Sequence, residues 1–405
     1  MVGMAFPFQP IPLRGPLCLQ LRVAVGRIVS SPVFSIAHLP NPMPKSDALA
    51  QKIAFFDPNA PGEAESGLFG LPFTAEEAQV VVVPVPWEVT VSYRAGTADG
   101  PAAMHEASLQ VDLYDSDIPN AWKLGLALDE ADETIASASR ELRPLAAEYI
   151  GWLEEGRPEA GRARHEGVPA QVTAAGKKMM QSLKDRTGAL LDAGKGVVVL
   201  GGDHSTPLGY LHALAERHEE FAILQFDAHC DLRPAYEGFQ YSHASIMHNA
   251  LELPQVKKLV QVGIRDFCQQ EAELIEHSNG RVALFSQRFL SDEKFAKKSW
   301  KKVCGKIIAQ LPKKVYISFD IDGLDPKLCP GTGTPVPGGL EFEEATYLIR
   351  SIVREGIEII GCDLNEVAPG DTEWNAMVGA RLLYQLCNWM AVSQGRLTAK
   401  GVHAE

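Results

Sequence analysis

Short apolar runs recur along the chain, and each is stopped by polar, turn-forming residues. Residues 80–83, 197–200, 221–226, 259–262, 282–285, 315–319 and 357–362 are predominantly apolar rather than alternating, the pattern of strands buried on both faces. Stretches with apolar residues three and four apart lie around them, at about 174–191, 208–219, 292–310, 342–354 and 376–390, and predict helices. Strands alternating with helices predict an α/β fold with a mostly parallel central sheet covered on both faces. Pro84 is expected to end or bend the first strand.

Two regions depart from this rhythm. In 112–175, Leu142, Leu145, Tyr149, Trp152 and Leu153 predict a partly amphipathic helix with Pro144 near its start. The segment reads as an insertion or a subunit-contact element. Residues 1–45 carry Arg14, Arg22, Arg27 and Lys45 but no acidic residue, and are broken by prolines. They are expected to be a disordered extension; sequence upstream of a start at Met43 and a targeting segment are the other readings. One domain is expected over 46–405.

Three of the apolar runs end in the chemistry of metal ligands. The run 221–226 leads into Asp227-Ala228-His229-Cys230-Asp231, where alternate residues of an extended chain share a side, so Asp227, His229 and Asp231 are expected to face one point. The run 197–200 leads into Gly201-Gly202-Asp203-His204-Ser205, and 315–319 into Asp320-Ile321-Asp322-Gly323-Leu324-Asp325-Pro326. Carboxylates and imidazoles gathered like this repel or go unsatisfied unless a cation sits among them. A lone Asp-x-Asp is commonly a cap or a turn, but three clusters at strand ends lie where open α/β sheets build their sites. His204, Asp227, His229, Asp231, Asp320 and Asp322 exceed the needs of one divalent ion and suit two ions sharing carboxylates. The nitrogen and oxygen donors suit Mn²⁺, with Ni²⁺, Co²⁺ and Zn²⁺ compatible.

Composition narrows the partners. A net charge of −13 argues against nucleic acid or an anionic membrane and fits a cationic substrate. The seven cysteines are scattered without a paired spacing, which points to a reduced, cytoplasmic setting. No apolar stretch reaches the ~18 residues of a membrane-spanning helix.

In this order, GGDHS (201–205), DAHCD (227–231) and SFDIDGLDP (318–326) resemble the signature of the ureohydrolases, the family of arginase and agmatinase, from about residue 80 to the C-terminus. The resemblance implies the arginase-like three-layer α/β/α fold and a binuclear site. One ion would take His204, Asp227, Asp231 and Asp320, and the other Asp227, His229, Asp320 and Asp322, with Asp227 and Asp320 bridging. It also implies roles for His243, in Tyr241-Ser242-His243-Ala244-Ser245, and for Glu366, in 363–369. The family usually has glycine after that histidine, where this chain has Ala244.

The implied reaction is cleavage of a guanidinium C–N bond by a metal-bridging hydroxide. Delocalised charge makes the guanidinium carbon a poor electrophile, so the nucleophile must be strong. Glu366 would hold the guanidinium through charge-assisted hydrogen bonds. Asp231 and His243 would carry the proton that the leaving amine needs. The plainer alternatives are a helix-capping or surface carboxylate for Glu366 and a core or loop histidine for His243. Cys230 is expected to point away from the ligands and not to act as a nucleophile, and Trp374 is either pocket wall or core.

Arginase grips the amino-acid head of its substrate with polar residues after the DAHxD motif. Here 232–241 reads Leu-Arg-Pro-Ala-Tyr-Glu-Gly-Phe-Gln-Tyr, which is aromatic. The long loop 86–101 and the segment 112–175 look similar to the guanidine hydrolase branch of cyanobacteria, which is nickel-dependent. The resemblance thus favours guanidine, hydrolysed to urea and ammonia, and two Ni²⁺ ions with Mn²⁺ as the alternative. Thr97 and Trp87 are expected to supply a hydroxyl and a wall for a small closed pocket. With a free tail-binding surface, agmatine or guanidinobutyrate is expected instead. A non-catalytic metal-binding scaffold is the alternative of a different class, although none of the six ligands is missing. The family implies a homo-oligomer, trimer or hexamer.

Overall fold

β-Branched and aliphatic residues stack from strand to strand in one eight-stranded sheet. The computed structural model describes residues 45–63 and 65–402, so the extension expected at 1–45 lies outside the described residues except for Lys45. The strands are β1 (Val80–Val85), β2 (Leu126–Leu128), β3 (Gly196–Gly201), β4 (Phe221–Phe226), β5 (Val256–Val262), β6 (Val282–Phe285), β7 (Lys314–Asp320) and β8 (Glu358–Asn365). They pair in the order β2-β1-β3-β8-β7-β4-β5-β6, and every pairing is parallel. β1, β3 and β4 are buried along their whole length, as a sheet covered on both faces requires.

The helices form two packed sets, one for each face. Glu133–Glu154, Val168–Asp192 and Leu208–Ala215 pack in series, and Gly100–Ser108, Trp374–Ser393 and Phe342–Arg354 make the other set. The expected α/β/α layering is therefore present. Its consequence for function is geometric. Because all strands run the same way, β3, β8, β7 and β4, which are neighbours, deliver their C-terminal residues to one edge of the sheet.

Several local expectations are corrected. Pro84 does not end β1, which runs on to Val85. Val82 C=O accepts from Asp129 N–H, so the next residue with the same orientation, Pro84, faces past the end of β2 and its missing N–H leaves no ladder bond unmade. The segment 112–175 contributes β2, paired with β1 at the sheet edge; Leu-Ala-Leu is too short and too poor in β-branched residues to announce a strand. Pro144 lies inside Glu133–Glu154 rather than near its start, because Asp132 caps the helix earlier by accepting from Thr134 N–H at 2.9 Å. The lysine-rich helix expected at 292–310 is split into Gln287–Phe295 and Trp300–Ile308, with Lys297 at φ +59° between them.

Gly202 sits where β3 leaves the sheet. A Cβ there would lie 2.1 Å from Trp87 O and 2.7 Å from Val85 O, both backbone atoms that cannot yield cheaply. Gly202→Ala is expected to destabilise the fold by about 1–3 kcal/mol, read as a lower urea midpoint with an unchanged slope; an unchanged midpoint would contradict the packing described.

Candidate metal centre

The site begins with the turn that each strand makes on leaving the sheet. After β3, His204 N–H donates to Glu366 Oε1 at 2.9 Å, while Glu366 N–H donates to Gly202 O at 2.8 Å, so the ends of β3 and β8 are stitched together. After β4, His229 N–H and the Gln225 amide donate to the two oxygens of Asp227, at 2.6 and 2.8 Å. After β7, Asp322 N–H donates to Asp320 Oδ1 at 2.8 Å, and Asp322 Oδ1 accepts from Ala228 N–H at 2.9 Å. Asp227 is thus held through both oxygens, and Asp320 and Asp322 each through Oδ1, which leaves their Oδ2 atoms to converge.

They converge on two imidazole nitrogens. His204 Nδ1 lies 3.0 Å from Asp227 Oδ2, 3.1 Å from Asp231 Oδ2 and 3.3 Å from Asp320 Oδ2. His229 Nδ1 lies 3.1 Å from Asp322 Oδ2 and 3.5 Å from Asp227 Oδ1. His204 with Asp227 and Asp231, and His229 with Asp227 and Asp322, are each placed to hold an ion, and Asp227 is common to both. The expectation that Asp227, His229 and Asp231 face a single point is corrected: Asp231 turns back at φ +54°, so it joins His204 and not His229.

The donor set fits a divalent cation at each group. Ion–ligand distances of about 2.0–2.2 Å put neighbouring ligand atoms about 3 Å apart, which matches the spacings around His204. On its far side, His204 Nε2 lies 2.9 Å from Ser318 Oγ, whose hydroxyl donates to Asp363 Oδ1 at 3.1 Å. Ser318 therefore accepts from Nε2–H, the arrangement that leaves Nδ1 to a metal. Neither His204 Nδ1 nor Asp322 Oδ2 has a hydrogen-bond partner, though both are buried.

With no cation, protons must compensate. Burial alone would hold the His204 and His229 imidazoles down, but the surrounding carboxylates outweigh it, raising His204 well above its ordinary range and His229 to about 12. Burial, then repulsion by Asp227, pushes the Asp231 carboxyl up to about 7. Burial, with Asp322 and Asp227, raises Asp320 well above the carboxylate range. Burial would raise Asp227 too, but the imidazoles of His204 and His229 beside it reverse the sign and hold it low.

A cavity of about 380 Å³ opens over these groups and is lined by His204, His229, Asp231, Asp320, His243 and Glu366 among others. Glu366 adopts φ +64°, a left-handed conformation costing about 1–3 kcal/mol in a non-glycine residue. Its second oxygen, Oε2, is buried without a partner, and burial, then Asp203, raises its pKa well above the usual range. His243 is fixed by its N–H to Thr90 Oγ1 at 3.2 Å. Burial, then the imidazoles of His229 and His204, lowers its pKa to about 3, so its ring is neutral.

Trp87 and Thr97 are placed elsewhere. Trp87 is in the hydrophobic core, and the fully buried Thr97 hydroxyl lies 3.4 Å from Glu88 Oε2; neither lines the cavity. Their loop contributes Ser92 and Tyr93 instead, because Glu88 gathers Gly96 and Ala98 N–H groups and folds the 96–98 turn away. Cys230 is buried with its thiol pushed far up, and Trp374 is 48% exposed, neither core nor cavity wall. Arg233 and Tyr236, from the run 232–241, line the cavity, and so does Asp266, which the sequence motifs do not mark. Asp266 carried a usable signal, since it follows β5 at the same edge of the sheet; in the structure its backbone runs alongside that of His229.

Comparison with known proteins gives a consistent picture. The Arginase family model matches residues 78–388. The N(1)-aminopropylagmatine ureohydrolase of Synechocystis sp. is 32% identical, over 78% of this chain and 91% of its own length. That of Thermus thermophilus is 33% identical, over 81% of this chain and 96% of its own. The crystal structure of agmatine ureohydrolase of Thermoplasma volcanium superposes with a TM-score of 0.60 over 84% of this chain and 97% of the other; at 23% identity it speaks for the fold alone.

A carboxyl raised by folding contributes stability below its unfolded pKa and loses that contribution as pH climbs through the folded one. For Asp231 this window runs from 3.8 to about 7. Chelator-treated protein should lose melting temperature across it relative to Asp231→Asn, whereas stabilisation by an added divalent ion should grow with pH as ligands deprotonate. Calorimetry showing parallel pH profiles for the two metal-free proteins would contradict this.

Proposed function

The chain belongs to the arginase family, and from that membership we propose that it is a binuclear-metal hydrolase cleaving the C–N bond of a guanidinium compound. The observation that carries the reading is Glu366 Oε2, a buried carboxylate oxygen without a partner, in the same cavity as the two histidine–carboxylate groups. A guanidinium offers the planar N–H donors that this oxygen lacks.

In this proposal His204, Asp227, Asp231 and Asp320 hold one ion, and Asp227, His229, Asp320 and Asp322 the other. Ni²⁺ is the preferred ion and Mn²⁺ the alternative; both accept nitrogen and oxygen donors. When bound, such a pair lowers the pKa of water toward neutrality and so supplies the nucleophile. Glu366 orients the guanidinium with its carbon toward the two ligand groups. Water oxygen bonds to that carbon, the C–N bond breaks, and the amine leaves with a proton, giving urea. Asp231 and His243 are the residues proposed to move that proton. The neutral His243 ring can relay a proton but does not store one.

Two readings of the substrate have support. Bare guanidine is favoured by the aromatic run 232–241. A substituted guanidine such as agmatine is favoured by the cavity itself: about 380 Å³, lined at its rim by Tyr93, 68% exposed, and Phe267, 38% exposed, it leaves room for a tail. Residues 46–405 are taken as one catalytic domain that assembles as a homo-oligomer. The cytoplasm is the proposed location, in keeping with the free state of all described cysteines; no helix among the described residues is long and apolar enough to cross a membrane.

Glu366→Gln keeps an amide oxygen for His204 N–H but removes the charge facing the substrate. It is expected to lower kcat/KM for urea release about 10²-fold, with metal content by plasma emission unchanged. Wild-type turnover in this variant, or loss of both metals, would remove Glu366 from the proposed role.

A further inference from the structure

We propose that Thr90 is a positioning residue for His243: its hydroxyl ties the imidazole to a separate, anchored loop and so holds Nε2 toward the substrate. The inference deepens the reading of the site as a guanidinium hydrolase and rests on it.

Thr90 is fully buried, and its Oγ1 makes two contacts with one residue. It accepts from the backbone N–H of His243 at 3.2 Å and lies 3.5 Å from the imidazole Nδ1. Ser242 Oγ also lies 3.3 Å from Nδ1. It caps the same turn, however, accepting from Ala244 N–H at 3.3 Å, and so moves with His243. Thr90 stands 153 positions away, in the loop after β1, and its contact places the ring relative to the rest of the site.

That loop is itself anchored. Arg143, on the helix Glu133–Glu154, donates to Val89 O and Val91 O at 3.3 and 2.5 Å, so the carbonyls on either side of Thr90 are bound by one guanidinium. Glu88 N–H donates to Ser139 Oγ of the same helix at 3.1 Å. Asp203 N–H donates to Trp87 O at 2.7 Å, which joins the loop to the turn that carries His204. The segment 112–175, which reads in the sequence as an insertion or a subunit contact, thus serves the site through this helix.

With Nδ1 engaged, Nε2 is the nitrogen left for the cavity that His243 lines. Among the described residues no carboxylate pairs with the ring. A histidine that carries protons is commonly oriented by a second group, and here hydroxyls take that part. In the neutral ring, Thr90 Oγ1 donates to Nδ1 in one tautomer and accepts from Nδ1–H in the other. When Nε2 takes up a proton from the attacking water, Nδ1–H needs an acceptor, and Thr90 Oγ1 is in place to accept. The leaving nitrogen then takes the C–N bonding pair and the Nε2 proton, and the ring returns to neutral.

Thr90→Val and Thr90→Ala remove the hydroxyl, and Thr90→Ser keeps it. Urea release by the metal-loaded proteins would be measured on guanidine, on agmatine and on the alkoxyguanidine counterpart of each, with melting temperatures and metal content verifying the fold. An alkoxyamine departs with less help from a proton than ammonia or an alkylamine does, so the paired substrates separate proton delivery from a general defect. The hydroxyl-free variants should lower kcat about 10-fold on whichever guanidine the wild type hydrolyses, with KM changed by less than about 3-fold. They should slow its alkoxyguanidine counterpart much less, and Thr90→Ser should recover most of the loss. Equal slowing of both members of a pair, wild-type kcat in the hydroxyl-free variants, or a Thr90→Ser as slow as Thr90→Val would overturn the inference and leave the hydrolase reading standing. No urea from the wild type on any substrate with metals bound would overturn both.

Discussion

Asp227 stands between two imidazoles, 3.0 Å from His204 Nδ1 through one oxygen and 3.5 Å from His229 Nδ1 through the other. Around it, Asp231, Asp320 and Asp322 bring further carboxylates into a volume almost closed to water. Their mutual repulsion is the constraint on which the rest of the site depends, since buried charges of one sign are tolerated only with compensation. Protons can provide it, at the cost of raised carboxyl and imidazole pKa values, or cations can. The second solution leaves the hydrogen-bond pattern of Ser318 and Asp363 behind His204 as it stands, and we propose it as the working state.

The sheet makes this gathering possible. Ligands separated by more than a hundred positions meet because β3, β8, β7 and β4 are adjacent and parallel. The turns that follow must be abrupt, and the chain accepts local strain to make them: Asp231 and Glu366 both adopt positive φ. Each is pinned by backbone hydrogen bonds, Asp231 O accepting from Met247 and His248 N–H and Glu366 N–H donating to Gly202 O. Strain persists where surrounding structure over-determines it, and it gathers at functional sites.

Much of this was legible in the sequence, for a physical reason. An apolar run that stops at Asp-Ala-His-Cys-Asp or Asp-Ile-Asp marks both a buried strand and the polar group at its end, so fold and ligand candidates came from one signal. The arginase-like layering inferred from those motifs is what the structure has. Spacing served less well where a single dihedral decided direction, as at Asp231. Loop side chains were legible only in type. The loop 86–101 does reach the cavity, but through Ser92 and Tyr93, while Trp87 and Thr97 are drawn into the core and toward Glu88. Nothing in the local pattern told those alternatives apart, because the choice lies in contacts with Glu88, Ser139 and Asp203. The edge strand β2 escaped for a similar reason, since pairing with β1 rather than propensity makes it a strand.

The most direct test of the shared-carboxylate account is the number of divalent ions bound per chain, in the wild type and in Asp227→Asn, by plasma emission on gel-filtered protein. The account predicts two ions in the wild type and weakened binding of both in the variant, because Asp227 serves each group. A wild type that holds one ion at saturation, or a variant that loses only one of two, would contradict it.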